Sequence, residues 1–71
     1  MDATKIKAMR LFLDETQEQF AERIGVSRQT VTAIECGQRE VTDKIRSKLI
    51  RIEEGFSENF YIFFDRYKRS Q

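Results

Sequence analysis

Apolar positions recur three and four residues apart along most of this chain, the spacing that gathers side chains on one face of an α-helix. Ile6, Met9 and Leu13 form the first stripe and predict a helix from about Lys5 to Leu13, followed by an Asp14-Glu15 link. Thr16 opens a second helix. Thr16-x-x-Gln19 has the form of a capping box, in which each side chain satisfies a free amide of the first turn. Phe20, Ala21 and Ile24 supply its apolar stripe, and Gly25 is its predicted end, where a left-handed backbone carries little steric penalty. Ser27 is the predicted N-cap of a third helix that turns Val31 and Ile34 inward and stops at Gly37.

Thr42 is the next N-cap candidate, with Asp43 well placed against the positive helix end. Val41, Ile45, Leu49, Ile52 and Phe56 then recur at steps of three or four, which predicts one long fourth helix ending at Gly55. Ser57 is positioned to cap a fifth helix from Glu58 to about Tyr67, its entry stapled by Phe56 against Tyr61. As a helix, this segment puts Phe60, Phe63, Phe64 and Tyr67 on one stripe roughly 100° wide, with Ile62 facing away and Tyr61 to one side. Phe60-Tyr61-Ile62-Phe63-Phe64 also has strand-forming content, so a tail pairing strand to strand across a dimer stands beside the helical reading. The pattern as a whole is all-α: a compact bundle of four to five helices, with residues 1–56 as the main unit and 57–71 as an aromatic C-terminal element of the same domain.

Composition narrows the chemistry. With 71 residues the core is small, so packing must be efficient or a partner must help. Cys36 is the only cysteine and histidine is absent, which excludes an internal disulfide and a Cys/His metal site. A lone cysteine suits a reducing compartment, and neither a membrane span nor a signal peptide is present, so a cytoplasmic location is expected. No nucleophile has a matching base and no glycine-rich phosphate loop exists, so neither an enzyme nor a bound cofactor is expected. The formal net charge is only +1, but it is unevenly spread. Residues 23–51 carry Arg23, Arg28, Arg39, Lys44, Arg46, Lys48 and Arg51 against Glu35, Glu40 and Asp43, a net of +4 between two mildly acidic ends. That is a modest footprint for a polyanion.

The informative stretch runs from Gln17 to Glu35. Ala21 is small where two helices cross, Gly25 permits the sharp turn, Val26 fills the space beneath it, and Val31 with Ile34 anchors the following helix. A second helix held this way projects its other face outward. That face carries Ser27, Arg28, Gln29, Thr32 and Ala33. Arg bonds guanine bidentately, Gln does the same with adenine, and Thr and Ala methyls touch the thymine methyl. The helix N-terminus aims free amides at phosphate.

These residues resemble the Cro/C1-type helix-turn-helix family of phage repressors and bacterial regulators, the XRE-like group. The matching pieces are Thr16-Gln17, Phe20-Ala21, Gly25-Val26-Ser27 and Ile34-Glu35-x-Gly37, within a resemblance covering roughly residues 5–56. It implies a lambda-repressor-like bundle whose second and third helices form the helix-turn-helix, binding a double-stranded DNA operator as a homodimer. It implies base reading by Arg28, Gln29, Thr32 and Ala33, and phosphate contacts from Gln17, Ser27, Arg39 and Lys44. It also implies that Glu35 pairs with Arg10. Three positions depart from the family pattern: Cys36 stands where asparagine is frequent, Glu15 where an apolar residue is usual, and Val41 where proline is common.

The function expected is sequence-specific DNA binding and transcriptional regulation, repressor or Cro-like, with Tyr61 and Ile62 as the dimer contact. No small-molecule ligand is expected. The alternative is a protein-interaction module on the same scaffold, an antirepressor or antitoxin-like partner.

Overall fold

A computed structural model describes residues 1–71 as five helices: α1 (Ala3–Phe12), α2 (Gln17–Ile24), α3 (Arg28–Glu35), α4 (Asp43–Glu54) and α5 (Glu58–Arg69). The first begins two residues before its apolar stripe predicts, because the Asp2 carboxylate accepts a 2.7 Å hydrogen bond from the Lys5 N–H and caps it. The other caps fall where the sequence puts them. Thr16 and Gln19 close a reciprocal capping box, and Ser27, Thr42 and Ser57 each accept from an amide of the following first turn.

The first three helices end alike. A residue in the left-handed region (Asp14 at φ 58°, Gly25 at 73°, Gly37 at 74°) turns the chain back so that the next amide reaches a carbonyl five residues earlier. Those closing bonds run from Glu15 to Arg10, from Val26 to Ala21 and from Gln38 to Ala33, at 2.9–3.2 Å. Asp14 is a non-glycine residue there, a position that Asp tolerates better than most. Gly25 has a second constraint. A Cβ at that position would lie 2.7 Å from Lys48 Nζ, which donates to the Ile24 carbonyl at 3.1 Å and so caps α2 from α4.

The core joins Ile6, Ala8 and Met9 of α1, Phe20, Ala21 and Ile24 of α2, Val31 and Ile34 of α3, Ile45 and Leu49 of α4, and Phe60 of α5. Residues 60–64 are helical rather than extended. The reason lies in Phe12, whose ring is met by Phe56 at 5.1 Å, Phe60 at 5.4 Å and Phe63 at 5.5 Å. Helical spacing sends Phe60 and Phe63 to the same side, whereas a strand would send them to opposite faces. The staple takes a different form from the one the sequence suggests: Phe56 packs on Phe60, with ring centres 4.8 Å apart, and Tyr61 turns elsewhere.

Tyr61 donates its hydroxyl to Glu53 Oε2 at 2.7 Å, and the same oxygen takes Lys5 Nζ at 2.8 Å. One carboxylate thus ties α1, α4 and α5. Its partial burial works to raise the Glu53 pKa, but the hydrogen bonds from Lys5 and Tyr61, with the Lys5 charge, outweigh this and hold the group below its ordinary value. A carboxyl depressed on folding contributes stability that is complete above the unfolded pKa and is lost as pH falls through the folded one. Wild type should therefore melt higher than Glu53→Gln at neutral pH, with the gap closing between about pH 5 and pH 3. Thermal melts of both proteins across that range test this, and a gap independent of pH contradicts the clasp.

Candidate nucleic-acid interface

The geometry of the outward helix starts beneath it. Arg10 of α1 lies with its side chain only 11% exposed, and Glu35, the last residue of α3, with 3%. The guanidinium grips the carboxylate with two bonds, Nε to Oε2 at 2.7 Å and Nη2 to Oε1 at 3.1 Å, while Nη1 donates to the Glu15 carbonyl at 2.9 Å. The pair implied by the resemblance is therefore present and largely buried. Gln17, at the start of α2, donates from Nε2 to Glu35 Oε1 at 3.2 Å. Its Oε1 lies 2.9 Å from the Thr32 hydroxyl, which is also 3.1 Å from the Arg28 carbonyl. A continuous chain of polar contacts thus runs from α1 through Glu35 and α2 to the outer face of α3.

Arg28, Gln29 and Thr32 are exposed, and Ala33 is half-buried. The first two have side chains without any hydrogen-bond or ion-pair partner in the protein. Together the four residues line a shallow groove of about 340 Å³. Its fifth lining residue, Gln38, went unnoticed in the sequence. Gln38 lies beyond Gly37 and outside α3, and only the left-handed turn at Gly37 folds it back beside Ala33. Spacing along a helix gives no signal for such a residue, although the Gly-Gln order after a helix stop could have raised it.

The four residues expected at phosphate differ in their availability. Lys44 is exposed and unpaired, and Arg39 is exposed with one bond to the Thr30 hydroxyl at 3.2 Å. The Ser27 oxygen caps α3 through the Thr30 N–H, and the Gln17 amide is committed to Glu35 and Thr32. At both helix starts the first two backbone N–H groups, those of Gln17 and Glu18 and of Arg28 and Gln29, have no partner within the fold. Elsewhere in the basic segment, Arg46 is drawn to Asp43 and the Val41 carbonyl, and Lys48 to Ile24. Glu15, where an apolar residue is usual, pairs with Arg23 on the surface. Cys36 is an exposed free thiol at the C-cap of α3. Tyr61 and Ile62 are about half exposed on the far side of α5, and no helix is long and apolar enough to cross a membrane.

A family model described as helix-turn-helix matches residues 6–56. Similar proteins extend the likeness. An uncharacterized HTH-type transcriptional regulator of Archaeoglobus fulgidus is 35% identical over 60 residues, covering 84% of this chain and 84% of the relative. Another, of Methanocaldococcus jannaschii, is 36% identical over 61 residues, 86% of this chain and 92% of its own. A second Archaeoglobus fulgidus protein of the same description is 31% identical over 62 residues, 87% of this chain and 89% of its own. Stretches of that length cannot fit within residues 1–56, so the likeness reaches into α5. No solved structure matches.

Removing the Glu35 carboxylate strands the Arg10 charge in a largely buried site. Glu35→Ala should destabilise the protein by about 3–5 kcal/mol, whereas replacing both partners together, Arg10→Met with Glu35→Leu, should recover most of that loss. Urea unfolding of the three proteins measures it. An unchanged midpoint for Glu35→Ala would mean that the pair contributes nothing to the fold.

Proposed function

The chain belongs to the Cro/C1-type helix-turn-helix family, and from that premise we propose that it regulates transcription by sequence-specific binding of double-stranded DNA. The observation that carries this reading is the outer face of α3, where Arg28 and Gln29 stand free beside a groove while most polar side chains around them are engaged within the protein. Free side chains of these two types on the second helix of the motif suit the base edges of a major groove. Arg28 reads guanine and Gln29 adenine. Thr32, its proton already held by the protein, offers its methyl, and Ala33 leaves room for a thymine methyl. The relatives' description as transcriptional regulators supports the same reading.

Phosphate contacts in this proposal come from two sources. Lys44 and Arg39 supply positive charge from the α3–α4 loop and the start of α4. Gln17 and Ser27 contribute through position, since they stand where α2 and α3 present unpaired N–H groups and the positive ends of their dipoles. The action is repressor or Cro-like: a small protein covers an operator and blocks access to it.

Size limits one copy to one groove. The longest dimension of the chain is 28 Å, while successive major grooves on one face of DNA are about 34 Å apart. One copy serves one half-site. Ile62, 55% exposed on the outer face of α5 beside the half-exposed Tyr61, is the contact proposed for a two-fold homodimer.

Arg28→Ala and Gln29→Ala should each weaken specific binding by about 1–3 kcal/mol and relax preference at one base pair. Lys44→Ala should weaken binding to all sequences alike and make the salt dependence shallower. Selection from a random duplex pool, followed by anisotropy titrations in rising salt, measures both. Failure to bind any duplex would overturn the proposal and favour a protein partner instead.

Ile62→Glu should give a monomer of unchanged helical content by sedimentation and circular dichroism. A variant that stays dimeric, or a wild type that is monomeric at DNA-binding concentrations, removes the α5 contact in the free protein.

A further inference from the structure

We propose that Gln38 is a specificity-determining residue that reads a base edge from the turn that follows α3, an inference that rests on the DNA-binding reading above. Arg28, Gln29, Thr32 and Ala33 belong to α3, and Gln38, from the turn beyond it, lines the same groove. Its backbone is fixed: the Gln38 N–H donates to the Ala33 carbonyl at 2.9 Å, and the Gly37 N–H to the Ile34 carbonyl at 3.1 Å. Gly37 holds this geometry at φ 74°, a conformation that side-chain-bearing residues rarely adopt. The Gln38 amide therefore has a firm base, with Ala33, the smallest residue of the groove, directly beside it.

The chemistry of the Gln38 side chain suits the same role. Thr30, Thr32, Gln17, Arg39, Arg46 and Lys48 all spend hydrogen-bonding capacity within the protein. Among the polar residues that line the groove, only Arg28, Gln29 and Gln38 have side chains with no internal partner. A free carboxamide offers a donor and an acceptor side by side, the pattern that matches adenine at N6 and N7. A phosphate oxygen would use only the donor half. Gln38 is tied to Ala33, five residues along α3 from Arg28, about 7.5 Å at the helical rise and about twice the spacing of successive base pairs, so the base pair it reads is a different one from that of Arg28.

The test compares base preference in wild type, Arg28→Ala, Gln38→Ala and Gln38→Glu by selection from a random duplex pool, with circular dichroism melts confirming that each exposed-site variant folds. Gln38→Ala should lose preference at one base pair that Arg28→Ala leaves intact, with discrimination there falling about 5- to 100-fold. Gln38→Glu, which only accepts, should move the preference at that pair from adenine towards cytosine. If Arg28→Ala alters the selected sequence but Gln38→Ala preserves it, whether affinity is unchanged or uniformly reduced, the assignment of Gln38 is overturned and the DNA-binding reading survives. If wild type selects no sequence at all, both fail together.

Discussion

A carboxylate held almost out of water at the end of the outward helix is the constraint on which the rest of this structure depends. Arg10 meets Glu35 there with two hydrogen bonds and Gln17 adds a third. Such a pair contributes less to net stability than its geometry suggests, because desolvating both ions offsets most of their attraction. Its effect is on arrangement. A misplaced α3 would leave a buried charge unsatisfied, so the register of α3 against α1 and α2 is narrowly defined. The apolar anchors Val31 and Ile34 hold the same helix from beneath but would tolerate small slides that a bidentate ion pair does not.

The other end of the molecule is held by ring packing rather than charge. Phe12 meets rings from both the α4–α5 connection and α5, and Phe60 is fully buried among them. A chain of this length has little apolar area to spare, and aromatic side chains supply the most per residue. The Lys5–Glu53–Tyr61 clasp closes the edge of this cluster. The two halves thus have different construction: polar and directional under the groove, apolar and shape-based under α5.

Local chemistry is what made most of the fold legible from the sequence. Caps at Thr16, Ser27, Thr42 and Ser57, the stop at Gly25 and the inward stripes all act over three to five residues, and those positions match. One local cap was missed as well, Asp2, which lies four residues ahead of Ile6, the first residue of the α1 apolar stripe. The other misses have longer reach. The lysine over the Ile24 carbonyl acts across 24 residues, so Lys48 reads in sequence as one charge of a solvated cluster. Tyr61 suits a staple with Phe56 because a staple is a local rule, while Glu53 of α4, itself paired with Lys5 of α1, takes the Tyr61 hydroxyl instead. At the groove, periodicity identifies only residues on the helix itself, and Gln38 joins them through a turn.

The separation between engaged and free side chains on α3 has a consequence for how such a protein changes over generations. Thr32 and Glu35 are bound into the fold's polar network, so replacing either disturbs both folding and the groove. The side chains of Arg28, Gln29 and Gln38 make no hydrogen bond or ion pair within the protein, so exchanging them breaks none. Selection can therefore exchange these three without first compensating a loss of stability. On the DNA-binding role proposed for these residues, a duplicated copy of the gene could diverge in what its product recognises long before it diverges in shape, with Arg10 and Glu35 acting as the fixed frame around a variable surface.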